Sequence, residues 1–126
     1  MQLVSDDEFD QLIQRAMLEL PQEYIRGLDN VAITYADEPT PEQLVANHVG
    51  PNQLLLGLYE GIPQTSRFST SYSGVLPDKI TIFKRPIMIV AHDAASFFEQ
   101  IKRTLWHEIA HHYGLGHDRI HVLERS

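Results

Sequence analysis

A row of large apolar side chains runs through the last third of the sequence with the spacing of an α-helix. The row consists of Phe97, Ile101, Leu105, Ile109 and Tyr113. Residues four apart lie on one face of a helix, so we predict a helix from about Asp93 onward. Gly114 can adopt the left-handed backbone conformation that commonly ends a helix. A long helix with one apolar face has to pack against a core that the rest of the chain supplies.

The N-terminal residues carry a second helical pattern. Ser5 and Glu8 have the spacing of a capping box, in which the two side chains satisfy N–H groups at the start of a helix. Apolar residues then recur at helical intervals as far as Pro21, which cannot continue a helix. We predict an amphipathic helix of about 14 residues here.

Three segments between the two helices have the composition and alternation of β-strands. They are Val31–Tyr35, Leu54–Tyr59 and Lys79–Lys84. Ile87–Val90 fits a strand or a helix equally well, because four apolar residues carry too little periodicity. The order of elements indicates an α+β fold with both helices packed on one small mixed sheet. We expect Lys79–Lys84 to be an exposed edge strand that can pair with an extended peptide.

The composition limits the function classes open to the chain. Its 126 residues, 43% of them hydrophobic, suit a single domain, 1–126, with an apolar core. It contains no cysteine, so a transition metal would have to be bound by His, Asp or Glu. The formal net charge of -7 is unfavourable for binding phosphate backbones and predicts no nucleic acid partner. No secretion signal or membrane-spanning stretch is seen, which predicts a soluble cytoplasmic protein.

Five of the seven histidines lie in the last 20 residues. Within the predicted helix, His107, Glu108 and His111 form the pattern H-E-x-x-H. Four residues turn a helix by about 400° and advance it by roughly 6 Å, so the two imidazoles project from one face on successive turns. This arrangement is a rigid half-site for zinc. Glu108 lies about 100° further round the helix, where it can act as general base toward a water molecule.

The residues after the helix can supply a third ligand. Gly114 lets the chain turn off the helix axis, and His117 follows three residues later. Three nitrogen ligands leave one tetrahedral position open, which distinguishes a catalytic zinc site from a structural one. Asp118 and Glu124 also lie within reach of a chain that reverses at Gly114, so they remain alternatives. The sequence therefore predicts one zinc ion per chain.

The extended pattern H-E-x-x-H-x-x-G-x-x-H is rare by chance. At this composition, its first five positions would match roughly 0.03 times per chain and the full pattern on the order of once in ten thousand chains. The pattern resembles the zinc motif of the metzincin metallopeptidases. The longer run TLWHEIAHHYGLGHDRI is more similar still to a family of small bacterial zincin-like proteins, described as possible zinc metallopeptidases of minimal size.

The resemblance extends weakly upstream to the segments LLGLYEG and PDKITIF. It implies a zincin-like fold with a C-terminal zinc-binding helix and a zinc-dependent peptidase that acts on a peptide or protein. Its implied metal ligands are His107, His111 and His117, and its implied base is Glu108.

The chain departs from the metzincin pattern in one respect. Nine residues follow His117 and none of them is Met, so we expect no methionine turn from downstream residues. A second hypothesis therefore stays open, in which the chain is a zinc-binding regulatory or interaction module that cleaves little or nothing. Tyr113, Arg119 and His121 are candidates for stabilising an oxyanion, and the sequence does not choose among them.

Overall fold

The computed structural model describes residues 4–61 and 77–114, and it has five helices and three strands there. In chain order they are α1 (Asp6–Glu19), α2 (Gln22–Arg26), β1 (Val31–Ala36), α3 (Pro41–Ala46), β2 (Gly57–Glu60), β3 (Asp78–Phe83), α4 (Lys84–Val90) and α5 (Ala94–His112). This combination of helices and strands confirms the predicted α+β class. None of these helices combines the length and the apolarity that crossing a bilayer would require.

Helix α1 begins as its capping pattern predicts. The Ser5 hydroxyl oxygen accepts a hydrogen bond from the Glu8 N–H at 3.2 Å, and the Glu8 carboxylate accepts one from the Ser5 N–H at 3.4 Å. The helix runs for 14 residues, the predicted length. Its buried residues are Phe9, Ile13 and Ala16. The apolar stripe of the sequence is therefore the face that packs on the core.

The three strands form one mixed sheet in the order β1-β3-β2. β3 pairs with β1 in parallel and with β2 in antiparallel orientation, so that Ile80 lies opposite both Ile33 and Tyr59. This confirms the small mixed sheet. The bounds of β1 and β3 agree with the sequence prediction within one residue, whereas β2 begins at Gly57 rather than at Leu54.

The expectation that Lys79–Lys84 is an exposed edge strand is wrong. β3 is the central strand and is hydrogen-bonded to a neighbour on each side. Thr81 is only 4% exposed, and Ile80 and Ile82 on the opposite face are fully buried. From Ile80 to Phe83 both faces of the strand are therefore covered, and its polar alternation does not indicate an exposed face. Within the described residues, the edge strands are β1 and β2.

The hydrophobic core lies between the sheet and the helices α1 and α5. The predicted row of α5 is its buried face, with Phe97, Ile101, Leu105 and Ile109 at most 1% exposed. Phe9 of α1 packs edge-on against Tyr35 of β1, with ring centroids 5.6 Å apart. The two long helices and the sheet are therefore joined by a single apolar cluster.

The segment Ile87–Val90, which periodicity leaves undecided, is helical. It belongs to α4, which starts directly after β3 at Lys84. Pro86 lies in the first turn of this helix, where a missing N–H costs no intrahelical hydrogen bond. The proline that ends the strand pattern is therefore also part of a helix start.

Candidate metal centre

Helix α5 carries the H-E-x-x-H pattern near its C-terminal end. The helix is continuous from Ala94 to His112, so His107 and His111 lie on successive turns of one face. His111 exposes 56% of its side chain, and His107 is half-buried. Two imidazoles thus stand on the same face of the helix, and solvent reaches at least one of them.

Glu108, the residue after His107, has a different environment. It is only 9% exposed, and burial raises the pKa of its carboxyl group. Glu108 Oε1 lies 3.3 Å from His111 Nδ1, and the backbone of Tyr59 is near enough to favour the ionised carboxylate. These two contacts lower the pKa and only partly offset the effect of burial. A buried carboxyl group with a raised pKa is suited to taking up a proton during a reaction.

Strand β2 approaches helix α5 closely at Gly57. A β-carbon added at this position would lie 2.6 Å from Thr104 Cγ2 and 3.4 Å from Glu108 Cγ. The first of these distances is far shorter than an ordinary contact between two carbon atoms, which is about 3.5–4.0 Å. Only glycine fits here without moving the strand, and its small size brings the β2 backbone next to Glu108.

The phenol of Tyr59 connects β2 with β3 and with the end of α5. Its O–H donates to Asp78 Oδ2 at 2.5 Å, and its oxygen lies 3.1 Å from His112 Nδ1. Because the phenol proton goes to Asp78, the His112 Nδ1–H is the donor to the phenol oxygen. The Tyr59 and His112 rings are also neighbours, with centroids 5.9 Å apart. This contact leaves His112 half-buried.

Helix α5 ends where the sequence predicts. Gly114 has a φ angle of 68°, in the left-handed region that glycine adopts at low cost. Tyr113 donates its hydroxyl proton to the Tyr24 carbonyl oxygen at 2.6 Å, and the two rings pack edge-on. In this arrangement Tyr113 has no further proton to offer an oxyanion. The other two oxyanion candidates, Arg119 and His121, lie outside the described residues.

The described part of the site fits one half of a zinc centre. Among residues 4–61 and 77–114, no three metal-ligating side chains come together. The predicted third ligand, His117, lies outside these ranges, as do its alternatives Asp118 and Glu124. Two imidazoles one helical turn apart, beside a buried carboxylate, have the donor type and the spacing that zinc requires. The two histidines of α5 therefore fit zinc as two of its ligands.

Nothing in the local sequence predicts Tyr59 or Asp78 as part of this region. Both lie on strands, and Tyr59 is 53 residues away from His112 along the chain. Gly57 is different, because a glycine inside a strand often marks the close approach of another chain segment or a ligand. That signal is present in the sequence, but it does not identify the partner.

Comparison with known proteins gives a family and a fold. The family model described as zincin-like metallopeptidase matches residues 28–126. No curated protein matches the sequence. Among solved structures, a conserved hypothetical protein from Thermus thermophilus is similar, with a TM-score of 0.56 and 23% sequence identity over 87% of this chain and 94% of that chain. At this level of identity the similarity supports the predicted fold alone.

Proposed function

The chain belongs to the zincin-like metallopeptidase family, and on this basis we propose that it hydrolyses peptide bonds with the help of one zinc ion. Membership confirms the resemblance carried by the C-terminal motif. The proposal goes further and assigns roles to individual residues. The metal ligands are His107, His111 and His117, and the general base is Glu108.

One observation carries the proposal, namely the burial of Glu108 beside the helical imidazoles. Glu108 is 9% exposed, whereas the side chain of its neighbour His111 is 56% exposed. Burying a carboxylate costs free energy unless it is paired or hydrogen-bonded, and such groups are common at functional sites. A helix face that served only to contact solvent would leave all of these side chains in water.

Each of these residues has a defined task in the proposed reaction. The imidazoles of His107, His111 and His117 bind the metal through neutral nitrogens. Zinc, when bound, polarises the peptide carbonyl and lowers the pKa of water to about 7. The Glu108 carboxylate accepts a proton from the water molecule whose oxygen attacks the carbonyl carbon. It then donates this proton to the amine nitrogen as the C–N bond breaks.

The substrate of this reaction is a peptide in extended conformation. β3 offers no free edge, because it is paired on both sides. Of the two edge strands of the described sheet, β2 is the one that adjoins Glu108 through Gly57. We therefore expect the peptide to approach along β2, where backbone hydrogen bonds can hold an extended chain.

Metal analysis and peptide cleavage test the proposal together. Purified protein should hold about one zinc per chain and should cleave members of a quenched-fluorescence peptide library. Glu108→Gln should keep the zinc and the fold but lose about 10²- to 10⁴-fold in kcat, because the amide preserves the size of the side chain and cannot accept the proton.

The possible outcomes separate three interpretations. Failure to take up zinc at neutral pH would overturn the proposal. Equal inactivity of the zinc-loaded wild type and Glu108→Gln would favour a zinc-binding regulatory or interaction module. Equal activity of the two proteins would show that Glu108 is not the base.

A further inference from the structure

The end of helix α5 connects the two parts of the proposed metal site. His107 and His111 precede this end, and the predicted third ligand His117 follows it after Gly114. Helix ends open with a free-energy cost near zero, and their last four carbonyl groups have no N–H partner within the helix. Contacts with other elements therefore decide whether the chain leaves α5 in one defined direction.

One such contact comes from strand β2 and reaches the last residue of α5. The Tyr59 phenol oxygen lies 3.1 Å from His112 Nδ1, and the two ring centroids are 5.9 Å apart. The same phenol donates a hydrogen bond to Asp78 Oδ2 at 2.5 Å, so β3 also holds its ring. His112 directly follows His111 in the chain. The sheet is therefore bonded to the residue next to a proposed ligand.

A second contact comes from helix α2 and reaches the following residue, Tyr113. Its hydroxyl donates to the Tyr24 carbonyl oxygen at 2.6 Å, and the two ring centroids are 5.1 Å apart. The hydroxyl also lies close to Gly27, where an added β-carbon would be only 2.6 Å from the phenol oxygen. The rings of His112 and Tyr113 pack edge-on, 4.9 Å apart. Two consecutive residues are thus held by two different elements.

The backbone shows what these two contacts define. The Tyr113 N–H donates to the Ile109 carbonyl oxygen at 3.3 Å, as in an α-helix, whereas the Gly114 N–H donates to the His111 carbonyl oxygen at 3.0 Å. The latter bond spans three residues instead of four and tightens the last turn. Gly114 then takes its left-handed conformation. The chain therefore leaves the helix at a point bonded to the backbone of His111.

The same contacts leave the proposed ligand accessible. The His111 side chain is 56% exposed, whereas His112 and Tyr113 are half-buried. Successive residues of a helix point about 100° apart, so the packed side chains point away from the direction of His111. The turn is therefore held from the protein side, and the face for the metal stays open.

We propose that Tyr59 and Tyr113 are positioning residues that hold the end of α5 in its zinc-binding conformation before the metal arrives. The inference rests on the proposed role of His107, His111 and His117 as ligands. When a ligand binds only one conformation, its apparent Kd rises as the population of that conformation falls. The two tyrosines therefore increase zinc affinity without contributing a ligand atom.

The zinc affinity of two phenylalanine variants tests this role. Tyr59→Phe removes the hydroxyl that contacts His112 and Asp78, and Tyr113→Phe removes the one that bonds to the carbonyl of α2. Each substitution should raise the zinc Kd about 2- to 10-fold, which corresponds to the loss of one hydrogen bond. The double variant should bind zinc more weakly than either single variant. Competition with a chromophoric chelator at neutral pH gives the values.

Tyr35→Phe is the matched control for both substitutions. It removes the same hydroxyl group from strand β1, where the Tyr35 ring packs on Phe9 of α1. Its zinc Kd should stay within about twofold of the wild-type value, as expected for a substitution away from the site.

Amide hydrogen exchange of the metal-free protein, measured by NMR, tests the positioning in the absence of zinc. The Gly114 amide should be protected in the wild type although it lies at a helix end, and Tyr59→Phe and Tyr113→Phe should each lower its protection about twofold or more. The Ile101 amide in the middle of α5 reports global unfolding. A purely structural role of the tyrosines would lower the protection of Ile101 and leave that of Gly114 unchanged.

The outcomes separate this inference from the proposed function. If both variants have a lower melting temperature but bind zinc as tightly as Tyr35→Phe does, the positioning role is overturned. Fast exchange of the wild-type Gly114 amide would overturn it as well. If the wild type takes up no zinc, the proposed function fails, and the metal-free exchange data still decide whether Tyr59 and Tyr113 hold the turn.

Discussion

Two side chains of helix α5 that contact each other have contrasting environments. His111 exposes more than half of its side chain, and Glu108 exposes only 12% of its own. A cation can therefore reach His111 from solvent, whereas the Glu108 carboxyl group is covered by strand β2. This arrangement separates the group that would bind a metal from the group that would move a proton, although the two lie only 3.3 Å apart.

The close approach at Gly57 predicts a large effect of one added methyl group. Gly57→Ala should destabilise the fold by about 1–3 kcal/mol in urea denaturation, because the new β-carbon would lie 2.6 Å from Thr104 Cγ2. Gly61→Ala is the matched control. A β-carbon there would have its nearest neighbour at 3.8 Å, so the change should stay within about 0.5 kcal/mol.

A double variant tests the cause of the Gly57 effect. Thr104→Ser removes the Cγ2 atom that the new β-carbon would meet. Combined with Gly57→Ala, it should recover part of the lost free energy of unfolding, since contacting residues are coupled by about 0.5–3 kcal/mol. Strict additivity of the two substitutions would show that this contact is not the source of the strain.

The third zinc ligand can be assigned by measuring zinc affinity. His117→Ala should weaken zinc binding by orders of magnitude, because it removes a nitrogen donor at the position that follows the Gly114 turn. Asp118→Ala should weaken it by at most about 10–100-fold, as expected for a residue that orients a ligand. Glu124→Ala should leave it nearly unchanged. Competition with a chromophoric chelator gives the three dissociation constants, and a wild-type value for His117→Ala beside a collapse for Glu124→Ala would reverse the assignment.

The positions of residues in this candidate site differ in how far the sequence predicts them. The sequence predicts the relative directions of His107, Glu108 and His111, because all three lie on a single helix and their spacing alone defines these directions. The sequence does not predict the positions of Tyr59 and Asp78, because their approach to His112 depends on how two strands pair and where α5 packs on them. Such contacts are set by tertiary packing, which no local spacing encodes.

At the scale of elements, the start of helix α5 has a pH-dependent cap. The Asp93 side chain accepts a hydrogen bond from the Ser96 N–H at 2.8 Å, and this bond lowers the pKa of Asp93. A lowered pKa means that the stabilising contribution is present above the unfolded value of about 3.9 and is lost as the pH falls through the folded value. Asp93→Ala should therefore lower the melting temperature by a few degrees at neutral pH and by less in acid.

Asp93→Asn distinguishes the charge of this cap from its geometry. Asparagine keeps the oxygen acceptor and does not titrate, so its melting temperature should lie near that of the wild type at neutral pH. In acid the wild type should lose stability relative to Asp93→Asn, because only its own cap is protonated. Parallel pH profiles for wild type, Asp93→Ala and Asp93→Asn would contradict a role for the ionised carboxylate.

The long helices were predictable as elements, whereas the place of each strand in the sheet was not. Capping residues and apolar periodicity lie within a helix itself, as at Ser5 for α1. The position of a strand depends on its partners, which lie elsewhere in the chain. Thr81 shows this, because its polar side chain predicts an exposed face and yet is buried in the central strand.

At the scale of the whole molecule, Phe9 joins three elements. Its ring is fully buried and contacts Tyr35 of β1 and Phe97 of α5, with centroids 5.6 Å and 5.9 Å away. Phe9→Ala should cost about 3–5 kcal/mol of unfolding free energy in chemical denaturation. Leu18→Ala on the same helix, at a position 77% exposed, should change it by no more than about 0.5 kcal/mol. Similar losses for the two variants would show that α1 does not depend on its buried face.

The importance of α1 is not visible from the family comparison. The family model begins at residue 28, after α1 has ended at Glu19. The helix nevertheless supplies Phe9, Ile13 and Ala16 to the core that supports α5. The H-E-x-x-H pattern of α5 is therefore held in place in part by a segment outside the matched residues.

The direction of helix α5 has an electrostatic consequence. Peptide dipoles add along a helix to about half a negative charge at its C-terminal end, where the last carbonyl groups have no N–H partner within the helix. α5 is 19 residues long and ends at His112, so this partial charge lies beside the imidazole of His111 and one turn beyond that of His107. The backbone therefore attracts a divalent cation toward the two histidines before any ligand bond has formed, and it offers no such attraction to a neutral molecule.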